Sequence, residues 1–317
     1  MTGQTPHVCV IIAAWCAAQS LPKAVSSALA QNGVTVEVII VDDASPDDTF
    51  DCARKLARDP RVRALRQLTN AGPAAARNCA LQHTRAPWIA VLDADDFMHP
   101  DRLFKLVTLA QRVKAEVVLG NLTELSDPTA QMSAGIVSGP PFLAKPDHPV
   151  QWDMAAYIHG NLESGDHRTF GYLKPLISNA FILRHGIRYN EALRNGEDFH
   201  LILSCFAAQA QVWFSPDPDY IYVRHQASVS HRANPAHMKA LGEADRVFAA
   251  ALSDPDTKNL MDRRIRQIEQ LVVAEAAMAA LRDRHPVKAF AALCRHPAAV
   301  PRFMRQLSEA VHKRIQP

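Results

Sequence analysis

Three acidic residues follow the strongest strand signal in the chain. Residues 88–92 form a continuous apolar run, typical of a strand covered on both faces of a sheet, and Asp93, Asp95 and Asp96 come directly after it. Carboxylates concentrated at the tip of a buried strand favour a hard divalent cation that holds phosphate oxygens. The alternative is a solvated turn that leads into a helix, with Asp101 as an ordinary acid at the helix start. We favour the metal site because of its position after the strand.

A second pair of acids, Asp42 and Asp43, ends the apolar run 37–41. A carboxylate in this position can accept hydrogen bonds from the N–H of a nucleotide base or from ribose hydroxyls. The alternative is an Asx turn over residues 42–48 that starts a helix at Thr49.

Two further acids, Glu197 and Asp198, precede the amphipathic segment 199–208. We expect one of them to cap the helix and the other to point into a cleft, where a carboxylate can act as a general base. A helix cap without a catalytic role is the alternative.

Basic residues that could bind phosphate occur in two places. Arg77 lies near the start of an Ala-rich helix that follows Gly72, so a helix N-terminus, a permissive glycine and a guanidinium can converge on a diphosphate. The alternative for Arg77 is an exposed helix arginine. Residues 222–231, which include Arg224 and His225, form a polar, basic loop suited to closing on phosphates.

An alternation of strands and helices must position these residues. Strand-like apolar runs and helical patterns follow one another in the order 8–14, 20–31, 37–41, 49–58, 61–65, 70–83 and 88–92. This order predicts an α/β fold with an open, mainly parallel sheet and right-handed crossovers. Ligands of such sheets bind beyond the carboxyl ends of the strands, which is where the acids at 42–43 and 93–96 lie.

The rest of the chain has a weaker pattern. Residues 126–150 are rich in Pro, Gly and Ser, which is typical of a long loop or insertion. Residues 211–214 and 220–223 favour a strand pair, and residues 237–313 are helical in pattern.

Composition and charge limit the class of protein. The 317 residues are 48% hydrophobic and 21% charged, which indicates a folded chain large enough for an enzyme cleft and excludes a peptide hormone or small stapled scaffold. The net charge of +3 is too weak to imply nucleic acid as a partner. The six cysteines are scattered, without a CxxC pair, and we expect reduced core thiols of a cytosolic protein.

We expect this chain to contact a membrane at its surface and not to span it. No stretch reaches the roughly 18 uninterrupted apolar residues that span a bilayer, and residues 1–7 lack the basic segment of a signal peptide. Residues 282–317 carry eight basic and two acidic residues, a local net charge of +6, together with apolar residues at helical spacing. We therefore expect a cytoplasmic protein whose basic end can rest on the inner face of the cytoplasmic membrane. A solvated helical bundle or a dimer contact is the alternative.

Taken together, these segments resemble the family 2 glycosyltransferases, the large inverting group with the GT-A fold. The strand at 8–14 matches the family's first strand, and the run 38–45 is similar to its VDDGS motif. Further along, residues 70–78 resemble NxGxxxARN, 93–96 resemble the DxD metal motif, 196–198 resemble the ED motif, and 222–230 are similar to a later element. The combination is highly specific, whereas each motif alone is not.

The resemblance implies a fold and a division of the chain. The fold is α/β and GT-A, a Rossmann-like, mainly parallel open sheet with flanking helices, followed by a C-terminal helical segment. Residues 1–125 would form the half that binds the nucleotide sugar. Residues 126–236 would hold the acceptor and the catalytic base, and residues 237–317 would form a helical extension.

The resemblance also implies roles for the residues above. Asp42 or Asp43 would contact the base or ribose, and Arg77 would support the nucleotide. Asp95 would be the principal metal ligand, helped by Asp93. Asp198 would be the general base, with Glu197 beside it. We assign the donor site as a whole to Ala13, Trp15, Asp42, Asp43, Gly72, Arg77, Asp93, Ala94, Arg224 and His225.

The chain departs from the family pattern at two positions. Many relatives have Pro-x-Tyr-Asn after the first strand, where this chain has Ala13-Ala14-Trp15-Cys16, so the usual Asn is missing from the wall that binds the base. Ala44 replaces the usual Gly of VDDGS, which is a milder change.

The activity implied by the resemblance is metal-dependent, inverting transfer of a sugar. The donor would be a nucleotide sugar, a UDP-hexose, and the acceptor a hydroxyl of a lipid-linked saccharide in cell-surface or exopolysaccharide synthesis, with Mn²⁺ or Mg²⁺ as cofactor. The alternatives are a nucleotidyltransferase and a non-catalytic relative that binds sugar nucleotides. The first usually needs a Gly-rich, basic N-terminal loop, and residues 13–19 contain neither Gly nor Lys. The intact acids Asp93, Asp95 and Asp198 argue against the second.

Overall fold

The computed structural model describes residues 7–125, 139–162, 169–224 and 235–315. They fold into two compact units. The first comprises the chain up to residue 154 together with residues 170–227, and the second comprises residues 155–169 and the chain from residue 228 onward. The division into segments 1–125, 126–236 and 237–317 stays a prediction.

The first unit begins with the predicted alternation of strands and helices. Its elements are β1 (Val8–Ala14), α1 (Leu21–Leu29), β2 (Val36–Asp42), α2 (Thr49–Leu56), β3 (Val62–Arg66), α3 (Pro73–Leu81) and β4 (Trp88–Val91). β1 and β2 are buried almost throughout, as expected for strands covered on both faces. The four strands are parallel in the order β3-β2-β1-β4, so their carboxyl ends share one edge of the sheet.

The same sheet continues with elements from later in the chain. These are β5 (Phe97–Met98), α4 (Arg102–Val113), β6 (Val117–Leu125), β7 (Val150–Trp152), β8 (Lys174–Ser178), α6 (Asn179–His185), α7 (Glu197–Ala207) and β9 (Val212–Val223), while α5 (Met154–His159) belongs to the second unit apart from its first residue. The strand order is β3-β2-β1-β4-β8-β6-β9-β5, and β7 also pairs with β9. β8 runs antiparallel to β4 and β6. The predicted α/β sheet with flanking helices is confirmed, and the reversal at β8 brings the start of that strand to the edge where β4 ends.

The segment 211–223 differs from its prediction. A single strand, β9, replaces the expected pair 211–214 and 220–223, because both parts pair in parallel with β6. The register shifts between Gly120 and Leu122, opposite the two prolines Pro216 and Pro218. Proline has no backbone N–H to donate to a ladder, so the chain bulges there and the strand then resumes.

The described part of the second unit from residue 235 onward forms four helices, which confirms the helical prediction for residues 237–313. They are α8 (Pro235–Ala250), α9 (Pro255–Arg282), α10 (Pro286–Arg295) and α11 (Val300–Ile315). Ala274 and Ala277 of α9 form a small apolar core with Ala289 of α10 and Phe303 of α11. None of the helices in the described ranges has both the length and the apolarity needed to cross a membrane.

The six cysteines are all unpaired. Cys9 and Cys205 are buried, as predicted, whereas Cys16 and Cys294 are exposed, so the expectation of core thiols is wrong for those two. Cys16 lies in the turn after β1, and Cys294 lies on α10.

Candidate active site

The two acids at the end of β2 make different contacts. Oδ2 of Asp42 lies 3.2 Å from Nε of Arg66, while its Oδ1 is buried and has no hydrogen-bond partner within the described residues. Asp43 accepts hydrogen bonds from the backbone N–H groups of Ala71 and Gly72, both at 2.7 Å. Asp43 therefore fixes the loop before α3, and Asp42 retains one unused buried acceptor.

An exposed aromatic side chain follows the neighbouring strand β1. Ala13 lies within β1, level with Val41, and Trp15 is 51% exposed. The backbone N–H of Cys16 donates to Oγ of Ser45 at 3.0 Å, which joins this turn to the loop after β2. Ala44 has a φ of +55°, in the region that favours glycine, which is a physical reason for the usual Gly at this position.

Arg77 is buried among carboxylates, so the alternative of an exposed helix arginine is wrong. Its guanidinium donates to Oδ1 of Asp93 at 2.9 Å, to Oε1 of Glu197 at 2.7 Å and to Oδ1 of Asp198 at 3.1 Å. Burial alone would lower the pKa of Arg77, but the nearby acidic groups raise it well above its ordinary value. The backbone enters α3 through Gly72, whose φ of +93° suits glycine.

Lys174, the first residue of β8, makes the second set of bridges between these acids. Its Nζ lies 2.8 Å from Oδ2 of Asp93 and 3.1 Å from Oδ2 of Asp198. Burial raises the pKa of Asp93, but Lys174 and Arg77 outweigh it and lower that pKa to about 2. We call Arg77, Asp93, Lys174, Glu197 and Asp198 the charged cluster. It joins acids that are more than a hundred residues apart in sequence.

The ED pair opens α7. Gly196 precedes it with a φ of +77°, and Glu197 and Asp198 are both buried in the first turn. Burial raises the pKa of Glu197, an effect that Arg77 opposes and Asp198 reinforces. Both acids bond to Arg77 within the charged cluster, so capping of α7 alone does not explain their contacts.

The acids after β4 lie in different environments. Asp96 is buried and accepts hydrogen bonds from the Tyr220 hydroxyl at 2.7 Å and from the Val223 backbone N–H at 2.8 Å. The same hydroxyl accepts from the backbone N–H of Asp93 at 3.1 Å. Burial raises the pKa of Asp96 well above its ordinary value. Asp96 therefore anchors the loop to β9, Ala94 is buried, and Asp95 is exposed.

The predicted phosphate-closing loop is only partly described. Arg224 is about half exposed, and its Nη1 lies 4.0 Å from Oε2 of Glu124. His225, Ser228, Ser230 and His231 lie outside the described residues.

Sequence reasoning missed Lys174, Tyr189 and Tyr220. Lys174 is a lone charge beside an apolar run, 175–177, and a buried charge of this kind is a signal that could have been used. The Tyr189 ring lies 5.4 Å from the Arg77 guanidinium, and its hydroxyl is buried with no hydrogen-bond partner in the described part of the chain.

Comparison with known proteins shows the family to which the chain belongs. Residues 9–161 match the family model described as glycosyl transferase family 2. The chain is 32% identical to the succinoglycan biosynthesis protein ExoO of Rhizobium meliloti (strain 1021), over 99% of the chain and 87% of that protein. The chain belongs to the family 2 glycosyltransferases.

Solved structures share the fold of this glycosyltransferase at low sequence identity. S. aureus TarS 1-349 in complex with UDP-GlcNAc has a TM-score of 0.61 and 16% identity, covering 84% of this chain and 71% of that TarS 1-349 chain. The mannosyltransferase PcManGT of Pyrobaculum calidifontis, in complex with GDP-Man and Mn²⁺, has a TM-score of 0.59 and 16% identity, covering 96% of this chain and 85% of PcManGT. The predicted GT-A fold is confirmed.

The metal ligands of this glycosyltransferase need a closer test. In the ranges that the structure describes, no three His, Cys, Asp or Glu side chains group closely enough to hold a metal ion by themselves. Mg²⁺ is often held by one or two carboxylates together with substrate phosphates, so a site completed by the donor needs fewer protein ligands. The exposed carboxylate of Asp95 fits that requirement. Each oxygen of Asp93 already bonds to a cation, Arg77 or Lys174, and although lone-pair capacity remains, these two positive charges oppose a metal ion at Asp93.

Proposed function

We propose that this chain is an inverting glycosyltransferase that moves a sugar from a UDP-sugar to a hydroxyl of a saccharide acceptor in exopolysaccharide biosynthesis. The observation that carries the proposal is the meeting of Asp198 with Asp93 through Arg77 and Lys174. Similarity to a succinoglycan biosynthesis protein supports the polysaccharide product, and the fold shared with a UDP-GlcNAc complex supports the donor class.

In this reaction Asp198 is the general base. Its carboxylate accepts the proton of the acceptor hydroxyl while that oxygen bonds to the anomeric carbon and the bond from that carbon to the diphosphate oxygen breaks. Attack opposite the leaving group inverts the configuration, so an α-linked UDP-sugar gives a β-glycoside. Each oxygen of Asp198 accepts from one cation and keeps further lone-pair capacity for the acceptor.

Donor binding is assigned to the edge formed by β1, β2 and the loop before α3. Trp15 offers a ring on which a base can stack, and we assign the contact with the base or ribose to Asp42, whose Oδ1 is buried and has no hydrogen-bond partner among the described residues. We assign Mn²⁺ or Mg²⁺ to Asp95, where the ion would neutralise charge on the departing diphosphate. Arg224 and His225 are assigned to the phosphates.

The test separates the base from the metal ligand. A panel of nucleotide sugars with Mn²⁺ or Mg²⁺ first identifies the donor by hydrolysis and by protection against heat. Asp198→Asn should then lower turnover about 10³-fold, because base catalysis is lost, and leave donor affinity unchanged. Asp95→Ala should instead weaken metal-dependent donor binding, and Asp217→Asn, at a solvent-accessible acid, is the control. Weak donor binding in Asp198→Asn with intact metal dependence in Asp95→Ala would contradict the roles.

The acceptor is proposed to be lipid-linked, with the second unit resting on an anionic membrane. Val287 and Phe290 on α10 are 79% and 71% exposed, which is unusual for large apolar side chains. The surrounding segment 282–317 has a net charge of +6. Exposed apolar residues within a basic segment suit an interface with anionic lipid.

A further inference from the structure

The strand order places Lys174 between Asp93 and Asp198 in the charged cluster. Lys174 is 6% exposed and begins β8, which lies between β4 and β6. The antiparallel register pairs Ala90 with Leu176, so Lys174, two residues earlier, lies level with Leu92 and next to Asp93. Pairing of β8 with β4 therefore delivers an ammonium to the acid that follows β4.

This ammonium joins two carboxylates that serve different parts of the proposed reaction. Nζ of Lys174 bonds to Oδ2 of Asp93, on the donor side, and to Oδ2 of Asp198, the proposed base. Arg77 bonds to the Oδ1 atom of each of the same two acids. The four side chains form a closed ring in which the sign of the charge alternates, and both oxygens of Asp198 are held.

A second buried cation fixes the backbone at Lys174. Arg102 of α4 donates to the carbonyl oxygen of Lys174 at 2.9 Å and forms an ion pair with Asp219. Gly120 lies opposite Lys174 on β6, and a Cβ at Gly120 would come within 2.5 Å of the Arg102 guanidinium. The glycine thus leaves the space that Arg102 occupies. The Lys174 side chain starts from a fixed backbone position, which limits where its ammonium can lie.

The charges of the cluster indicate that Lys174 positions Asp198 and does not serve mainly to stabilise the fold. Buried ion pairs can often be replaced by apolar side chains of similar volume without loss of stability, so the fold alone does not require this ring. Three carboxylates share two cations here. Without Lys174 the three would share Arg77 alone, and Asp198 would keep a cationic contact on only one oxygen.

We propose that Lys174 is a positioning residue of the transfer reaction, whose ammonium ties Asp198 to Asp93 and holds the base in register with the donor. The proposal rests on the proposed function above. Loss of the ammonium leaves Oδ2 of Asp198 unrestrained, so the carboxylate can rotate away from the acceptor hydroxyl. Arg77 still holds Asp93, so donor affinity should change much less than turnover.

The test uses Lys174→Met, Lys174→Arg and a matched control in the full chain, with the donor that the nucleotide-sugar panel identifies. Met keeps the length of the side chain without its charge, and Arg keeps the charge. Lys105→Met removes a half-exposed lysine paired with Asp217 and serves as the control. We expect Lys174→Met to lower kcat about 10²-fold, the scale of a small misplacement of a reacting group, with a much smaller change in donor Kd. Lys174→Arg should recover a large part of kcat, and Lys105→Met should match the unmodified chain.

The outcomes separate this proposal from the one on which it rests. Unchanged kcat in Lys174→Met, a loss confined to donor Kd, or an Arg variant no better than the Met variant would each overturn the role of Lys174. If Lys174→Met does not fold, as judged by circular dichroism, Lys174→Gln provides the same comparison, because the glutamine side chain can donate a hydrogen bond but carries no charge. A chain with Lys174 intact that neither binds nor hydrolyses any nucleotide sugar would instead contradict the proposed function.

Discussion

Asp93 carries a charge that its neighbours maintain into acidic solution. Although burial raises its pKa, Lys174 and Arg77 lower it to about 2, whereas an aspartate in an unfolded chain titrates at about pH 4. A depressed folded-state pKa contributes stability above the unfolded pKa, and that stability is lost as the pH falls through the folded pKa. We expect Asp93→Asn to lower the free energy of unfolding by about 2 kcal/mol at pH 7, and the difference to shrink below about pH 4.

Urea unfolding followed by circular dichroism between pH 3 and 7, with a chelator present, measures this difference. Asp51→Asn, at an exposed acid paired with Arg54 on α2, should show almost no change at any pH. A loss of stability in Asp93→Asn that stays constant across the pH range would mean that the ring does not depress the Asp93 pKa.

The site residues that the sequence could reveal are those that have other polar residues close to them in the sequence. Asp93, Asp198 and Arg77 stand in short polar clusters at the ends of predicted strands and helices, and the structure brings all three together. Lys174 has no polar neighbour that marks it, because its partners depend on antiparallel pairing between β8 and β4. Asp96 stands beside the predicted metal ligands Asp93 and Asp95 in the sequence, and its bond to Tyr220 is not visible there because it joins residues far apart in sequence.

The side chain of Asn78 makes three hydrogen bonds between helix α3 and the segment that precedes α7. Its Nδ2 donates to the Tyr189 carbonyl at 2.9 Å and to Oε1 of Glu191 at 2.8 Å, and its Oδ1 accepts from the Tyr189 N–H at 2.9 Å. Asn78→Ala would leave buried backbone groups of Tyr189 unpaired. We expect the free energy of unfolding to fall by about 3 kcal/mol, because each such group costs about 1–3 kcal/mol.

Chemical denaturation at neutral pH checks this value. Asn32→Ala removes an exposed side-chain bond to Asp101 and is the control, with an expected change within about 0.5 kcal/mol. Equal effects of the two substitutions would show that the bonds of Asn78 do not join these elements. Turnover should fall in Asn78→Ala as well, since Glu197 and Asp198 follow the segment that it holds.

Elements with a clear hydrophobic period could be predicted from the sequence, whereas the pairing between strands was harder to predict. The buried runs at β1, β2 and β4 carry enough apolar residues to indicate parallel strands under helices, and the structure confirms them. The apolar runs 211–214 and 220–223 predict two strands, whereas the structure has the single strand β9, which contains Pro216 and Pro218 between them. A bulge against β6 that absorbs these prolines depends on a partner strand, which periodicity along one segment does not encode.

Charge is distributed unevenly over the whole molecule. The net charge is +3, and residues 282–317 contribute +6, so the remaining residues carry −3. An attraction to anionic lipid would therefore come from the C-terminal segment and not from the molecule's overall field. On α10, Val287, Phe290 and Cys294 are exposed at spacings of three and four residues, with Lys288 and Arg295 also exposed. That spacing places the three on one face of the helix.

Flotation with lipid vesicles tests whether this face contacts a membrane. The full chain should float with vesicles that contain phosphatidylglycerol and remain at the bottom with pure phosphatidylcholine, because the basic residues need an anionic surface. A double variant, Val287→Gln with Phe290→Gln, should lose flotation even at low salt, since it removes the apolar contact but keeps the charge. Val247→Gln, at an exposed apolar residue of α8, should float like the unmodified chain. Flotation that survives the double variant, or a dimer that the double variant converts to monomer, would show that this face serves another purpose.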